Sequence, residues 1–270
     1  MKIQPTLRWA GGKRWLVNKI DRYLPSEINN YYEPFAGGLS ILIHLLKSSR
    51  IQNLSFASDT NSELINFYSE LKDNPETLIR ELKKYHNSED EYYDERSRIR
   101  RAAHTKAAKF LYLNRTSFNG IYRENLQGQY NVPYGHKTYT NLFDTENITN
   151  LSKLLEDTLF QCIDFEEICE NAEEGDLIFF DPPYTVAHEN NGFVKYNQNI
   201  FKWEDQIRLR DLIIRLDERG VNVILTNAKH KSINKLYRGA FEIQPLSRSS
   251  TIGGKGAIRK KYNEVIIRNR

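Results

Sequence analysis

A run of four apolar residues, Leu177-Ile178-Phe179-Phe180, ends in Asp181-Pro182-Pro183-Tyr184, and this junction constrains the fold more than any other feature of the chain. A short unbroken apolar stretch reads as a strand buried on both faces, the habit of parallel sheets covered by helices. Two successive prolines stop it, because each fixes φ and lacks a backbone N–H. Asp181 is thereby displayed at the carboxyl edge of a parallel sheet, where open α/β folds bind their ligands.

The flanking sequence supplies the rest of such a sheet. Residues 31–35 read as a strand running into Ala36-Gly37-Gly38, and Leu39, Leu42, Ile43 and Leu46 then form the stripe of a helix. A second strand, 54–58, delivers Asp59, and Leu64, Ile65, Tyr68 and Leu71 continue as an amphipathic helix. From 75 to 137 the pattern changes to charged helices (77–85, 91–101 and 102–113) followed by a loop rich in Asn, Gly and Tyr. Strands return at 159–163, 176–180, 221–225 and 265–267, with a helix over 203–218. The order predicts an α/β fold, a split, mostly parallel sheet carrying a helical insertion.

Charge and cysteine usage narrow the function classes. Lys and Arg number 39 against 35 Asp and Glu, a net +4 that leans mildly towards polyanions. The 12% of aromatic residues fits a folded chain and suits base stacking as well as core packing. Cys162 and Cys169 form no Cys-x-x-Cys pair, so neither a disulfide framework nor a cysteine metal site is indicated, and a reducing compartment is expected. No metal-ligand spacing emerges; His44 lies in an apolar helix and His188 near the Asp181 loop. The amino end has no apolar signal core and no window is apolar enough for a membrane span, which leads to the expectation of a cytoplasmic protein without membrane contact.

An aspartate beside a proline carbonyl can hold both N–H groups of an exocyclic amine. An adenine N6 is a poor nucleophile because its lone pair is delocalised; gripping both hydrogens aims that lone pair at an electrophile, leaving alignment and charge placement to do the rest. Tyr184 would stack on a base turned out of its helix. Glu33-Pro34-Phe35-Ala36-Gly37-Gly38 is a strand-to-helix turn whose missing side chains let a ligand near the backbone. Asp59, about 20 residues on, is placed like the acid that accepts from ribose hydroxyls in dinucleotide folds. Trp9-Ala10-Gly11-Gly12-Lys13 lacks the spacing of a triphosphate-binding loop. In the insertion, Lys106, Lys109, Arg115 and Arg123 alternate with Tyr112, Phe118, Tyr122, Tyr130 and Tyr134, a mixture suited to phosphate contact and stacking, or to a solvated helix with a packed aromatic loop. Arg248, Lys255, Arg259, Lys260 and Lys261 form a last basic run in a Ser/Gly-rich loop.

Asp181-Pro182-Pro183-Tyr184 resembles the catalytic motif of the amino-methyltransferases acting on DNA. It stands with Trp9 to Lys13, Glu33 to Gly38, Asp59-x-Asn61-x-Glu63-Leu64-Ile65, Asn114-Arg115 to Arg123 and Asn131-Val132-Pro133-Tyr134-Gly135 in the order of Dam-type adenine-N6 methyltransferases of class alpha. That resemblance spans nearly the whole chain. It implies a Rossmann-like core over 1–59 and 146–270, a target-recognition domain over 60–145, and S-adenosyl-L-methionine as cofactor. Asp181, Pro182, Pro183 and Tyr184 would be catalytic. Trp9, Ala10, Gly11, Lys13, Glu33, Phe35, Gly37, Asp59, Asp164, Phe165 and Asp181 would contact cofactor, with Asp59 on the ribose and Asp164-Phe165 on the adenine. Arg8, Arg115, Asn119, Ile121, Arg123, Pro133, Arg248, Arg259 and Lys260 would contact double-stranded DNA, Arg123 reading a guanine edge. The implied site is GATC or a related GAT-containing sequence; His136 and Lys137 depart from the usual residues and leave the outer bases open. A monomer is expected, and a cognate restriction endonuclease encoded nearby is a candidate partner. Methylation of RNA bases or a protein amide, and sequence-specific DNA binding without catalysis, are the alternatives.

Overall fold

The computed structural model describes residues 3–125, 127–139, 141–185, 201–249 and 261–269. The chain folds as two compact units, Met1–Val17, Ala36–Arg50 and Ser58–Cys162 forming the first, and Asn18–Phe35, Ile51–Ala57 and Ile163–Arg270 the second. A one-turn helix, α1 (Val17–Ile20), lies where the first passes into the second.

The second unit is built on a sheet. Strands β1 (Tyr31–Glu33), β2 (Ser55–Ser58), β4 (Leu177–Phe180), β5 (Asn222–Ala228), β6 (Glu242–Ser249) and β7 (Lys261–Arg268) lie in the order β2-β1-β4-β5-β7-β6. The first four run parallel; β7 is antiparallel to both β5 and β6. The chain leaves β1 towards β2 on one side, and β4 lies on the other, so the order reverses between β1 and β4 as in doubly wound, Rossmann-like sheets. All four residues of β4 are buried, as its unbroken apolar run requires. Helix α8 (Trp203–Glu218) buries Leu209, Leu212, Ile213 and Leu216 in the core that also holds Ile178, Phe180, Val223, Leu225, Val265 and Ile267. Helix α9 (Lys231–Tyr237) adds Ile233 and Tyr237.

The basic run near the carboxyl end is not all loop, as the sequence suggested: Arg248 falls within β6 and Lys261 within β7, paired Arg248 with Tyr262 and Ser249 with Lys261. Pro245 hid this strand. A proline removes a ladder N–H and is tolerated at a sheet edge, which is where β6 lies.

The first unit is mainly helical, with α2 (Ser40–Lys47), α3 (Ser62–Asp73), α4 (Pro75–Leu82), α5 (Glu89–Ser97), α6 (Ala103–Thr116), α7 (Thr145–Leu154) and the short strand β3 (Thr158–Gln161). Local chemistry sets the helix starts. The Asn61 side chain accepts from the N–H groups of Glu63 and Leu64, Ser88 from Glu91 and Asp144 from Asn147, while Pro75 opens α4 without needing a donor. Leu64, Ile65, Phe67, Tyr68 and Leu71 form the buried face of α3. Tyr92, Tyr112, Leu113, Tyr134 and Leu142 make a separate core. No helix of the described residues is long and apolar enough to cross a membrane.

Candidate functional site

In the second unit, Asp181 follows β4 directly. Because Phe180 pairs with Leu225, Asp181 comes beside Thr226, whose hydroxyl donates to Asp181 Oδ1 at 2.7 Å. Pro182 is buried; Asp181, Pro183 and Tyr184 are half-buried. The Tyr184 phenol donates to Glu264 Oε2 at 2.7 Å. Neither Thr226 nor Glu264 was singled out from sequence. Glu33, at the end of β1, is buried and accepts from the Tyr31 phenol at 2.8 Å. Burial, then the Glu33 and Asp181 carboxylates, hold that phenol well above its ordinary range.

Phe35 stacks on Phe165 at 5.6 Å between ring centres and meets Phe201 edge-on at 5.5 Å, leaving an aromatic surface just past β1. Asp164 Oδ1 accepts from the Glu166 N–H and from Arg208 Nη2 at 2.9 Å, and the Arg208 guanidinium lies 4.8 Å over the Phe165 ring. Arg208 therefore braces the Asp164-Phe165 pair, a role that no local motif on α8 announces.

In the first unit, Asp59 and the glycine turn come together. Asp59 accepts from the Asn61 N–H at 3.0 Å and the Gly37 N–H at 3.4 Å, and the Tyr68 phenol donates to the Gly37 carbonyl at 2.8 Å. Burial pushes the Asp59 carboxyl up to about 6, against the pull of the N–H groups of Asn61, Gly37 and Thr60. Gly37 (φ 45°) and Leu39 (φ 53°) are both left-handed; for a leucine this conformation costs about 1–2 kcal/mol and marks a turn held by its surroundings. The Trp9 indole closes on Gly37 and stacks on Tyr122 at 5.7 Å. Lys13 is buried, with Nζ donating to the Gly11 carbonyl at 2.9 Å, and Ala10 is half-buried. An anionic acceptor beside a turn with no side chain suits a ligand bearing vicinal hydroxyls.

The insertion divides its basic and aromatic residues sharply. Tyr112 and Tyr134 are core residues, and Lys109 turns inward to the carbonyls of Arg96 and Arg98. The packed alternative holds for these three. The loop after α6 is stitched to the segment around Pro133 by Phe118 N–H to Pro133 O (2.9 Å), Gly135 N–H to Thr116 O (2.8 Å) and Asn131 N–H to Arg123 O (3.0 Å). It exposes Phe118, Asn119, Arg123 and Pro133, with Ile121 half-buried. Arg123 Nε donates to Asn131 Oδ1 at 2.8 Å. Asn114 brackets the backbone of Arg8, accepting from its N–H and donating to its carbonyl. The Arg8 guanidinium bonds the Tyr139 hydroxyl, and those of Arg8 and Arg115 each lie 5.5 Å from the Tyr139 ring. Arg259, Lys260, Lys255 and His188 lie outside the described residues. Among the described residues no group of three metal-ligating side chains occurs.

A family model of D12 class N6 adenine-specific DNA methyltransferases matches residues 9–252. The chain is 37% identical over 279 residues to the Type II methyltransferase M1.LlaDCHI of Lactococcus lactis subsp. cremoris, covering 100% of this chain and 96% of that protein. It is 34% identical over 290 residues to the Type II methyltransferase M.MjaIII of Methanocaldococcus jannaschii, covering both fully. With a DNA adenine methylase of Vibrio cholerae serotype O1 it shares 33% over 274 residues, 98% of this chain and 95% of that protein.

Proposed function

Since the chain belongs to the D12 class of N6 adenine-specific DNA methyltransferases, we propose that it methylates adenine in GATC or a related GAT-containing duplex site, by rotating the base outward and transferring the methyl group directly. The observation that carries this reading is the Asp181 carboxylate at the end of β4, with one oxygen engaged by Thr226. Its other oxygen and the Pro182 carbonyl accept the two N–H groups of the base. Tyr184 provides the stacking face, and its hydroxyl is anchored on Glu264. The amine nitrogen attacks, a C–N bond forms as the methyl carbon leaves sulfur, and the surplus proton passes from the amine to Asp181. No covalent enzyme intermediate is involved, so neither cysteine takes part.

S-adenosyl-L-methionine is the cofactor in this reading, and when bound it supplies an electron-poor methyl carbon. The residues fit it: Asp59 is an anionic acceptor for ribose hydroxyls, and the Gly37 turn beside it carries the Trp9 indole against its bare Cα. Trp9, Ala10, Gly11 and Lys13 are assigned to the same ligand, as are Glu33, Phe35, Asp164 and Phe165. Target recognition is assigned to residues 60–145, where Phe118, Asn119, Arg123 and Pro133 are exposed on one loop pair.

Transfer of labelled methyl groups to unmethylated duplex DNA, RNA and protein tests the reading, followed by mass spectrometry for N6-methyladenine and long-read sequencing for its position. Label in DNA at adenine is expected, and Asp181→Ala should abolish it while DNA binding persists. Label in RNA alone, or a near-normal rate for Asp181→Ala, overturns it.

A further inference from the structure

We propose that Thr226 and Glu264 are positioning residues of this methyl transfer, Thr226 setting the orientation of the Asp181 carboxylate and Glu264 that of the Tyr184 ring. The proposal rests on the functional reading above and adds to it the two groups that hold the reacting side chains still. Both sit in strands otherwise fit for a core. Thr226 is fully buried and follows Ile224 and Leu225 on one strand; Glu264 is 2% exposed and precedes Val265 to Ile267 on the other. A hydroxyl or carboxylate buried there is costly without a partner. Each has one in the motif that follows β4.

The strand register explains why these two positions are used. In the β5–β7 ladder Thr226 faces Ile266 and Ala228 faces Glu264. Side chains alternate faces along a strand, and directly opposed antiparallel residues share a face. Thr226 and Glu264 are thus diagonal neighbours on one face, one bonded to Asp181 and the other to Tyr184. Pro182 and Pro183 have no N–H to offer the carboxylate, and the Thr226 hydroxyl reaches it from the neighbouring strand. The Thr226 hydroxyl has 3.4 Å to the Phe180 carbonyl but 2.7 Å to Asp181 Oδ1, so its proton goes to the carboxylate. That bond holds the carboxylate in one orientation at the end of β4. Glu264 acts at the far end of its partner: accepting the phenol proton pins the tyrosine at its tip and so fixes the long axis of the ring beside Asp181.

Thr226→Val keeps the shape and removes the hydroxyl; Thr226→Ser keeps the hydroxyl and loses a methyl group. Steady-state methylation of an unmethylated duplex should show kcat reduced roughly 10- to 100-fold in Thr226→Val, the scale of a small misplacement at a reacting centre, with KM for DNA and cofactor within about threefold of wild type. Thr226→Ser should recover most of kcat although it leaves a small void. A structural role predicts the opposite order, since valine fills the site better. For Glu264, the Tyr184→Phe and Glu264→Met changes should each lower kcat, and the double variant should be no slower than the slower single one. Thr226→Val at the wild-type rate, valine and serine equally impaired at matching melting temperatures, or additive effects of Tyr184→Phe and Glu264→Met would each overturn the corresponding assignment. A wild-type protein that methylates no duplex removes the functional reading and this proposal together, whereas an active wild type with a fully active Thr226→Val removes this proposal alone.

Discussion

The Trp9 indole lies against Gly37 so closely that a Cβ added to the glycine would stand 2.9 Å from Trp9 Cδ1 and 3.1 Å from Nε1. Gly37 also has φ 45°, so a side chain there meets strain from both backbone and neighbour. Gly37→Ala should lower stability by about 2–4 kcal/mol, from the left-handed backbone and the overpacking together. Gly11→Ala is the control: φ is 82° but nothing lies within 4 Å of the added atom, so only the backbone part, about 1 kcal/mol, is expected. Thermal melts of both variants check this, and equal losses would show that the indole does not press on the turn.

Asp59 gives cofactor binding a pH dependence. Its carboxyl titrates near 6, raised by burial, and the ionised form is the stronger acceptor for ribose hydroxyls. Without ligand, the folded chain keeps a proton that the unfolded chain has released between about pH 4 and 6, so this group destabilises the free protein as pH rises through that window. Bound hydroxyls favour the anion, so S-adenosyl-L-methionine affinity should rise up to about tenfold from pH 5 to pH 7 and then level off. Calorimetric titration across that range checks the slope; in Asp59→Asn the slope should vanish.

Residues that bury apolar surface on both sides of a strand were legible in the sequence, and those that serve the site were not. The run 177–180 stands out because both its faces are apolar, and Asp181 to Tyr184 follow it without a gap. The strands expected at 221–225 and 265–267 stop where polarity begins, yet β5 runs to Ala228 and β7 starts at Lys261. Strand polarity begins at Thr226, Asn227 and Glu264, which are buried and bonded to partners distant in sequence: Thr226 to Asp181, Asn227 Nδ2 to Gln206, and Glu264 Oε2 to Tyr184. In the insertion the sequence left two readings open for Tyr112 and Tyr134, stacking on a base or packing in a loop core, and they form a core with Tyr92.

The charged helices of the insertion depend on one buried acid. Glu95 has a side chain only 3% exposed and is gripped by Arg100 through Nε at 2.8 Å and Nη2 at 2.6 Å, with the Tyr85 phenol on the same carboxylate at 2.9 Å. Removing one partner of a buried pair strands the other charge, so Arg100→Met should lower stability by about 2–4 kcal/mol. Glu95→Gln added to Arg100→Met should recover part of that loss, because the stranded charge is gone. Urea denaturation of the single and double variants measures both steps; a double variant no more stable than Arg100→Met would mean that the charge is not the cause.

Arg123 is exposed on the loop opposite Asn131, which takes its Nε at 2.8 Å and, through the backbone carbonyl, Nη2 at 3.3 Å. A guanidinium carries five N–H donors in one plane, so these two bonds orient the fork and leave donors for the O6 and N7 atoms of a guanine. Arg123→Ala should therefore relax discrimination at one base pair by about 1–3 kcal/mol, while a phosphate contact would weaken all sequences alike and flatten the salt dependence. Asn131→Ala separates orientation from contact: it keeps the cation but frees the fork, so part of the discrimination should be lost with the salt dependence unchanged. Methylation rates on duplexes substituted one position at a time, at two salt concentrations, provide both readouts. Uniform weakening in Arg123→Ala would assign the residue to the DNA backbone.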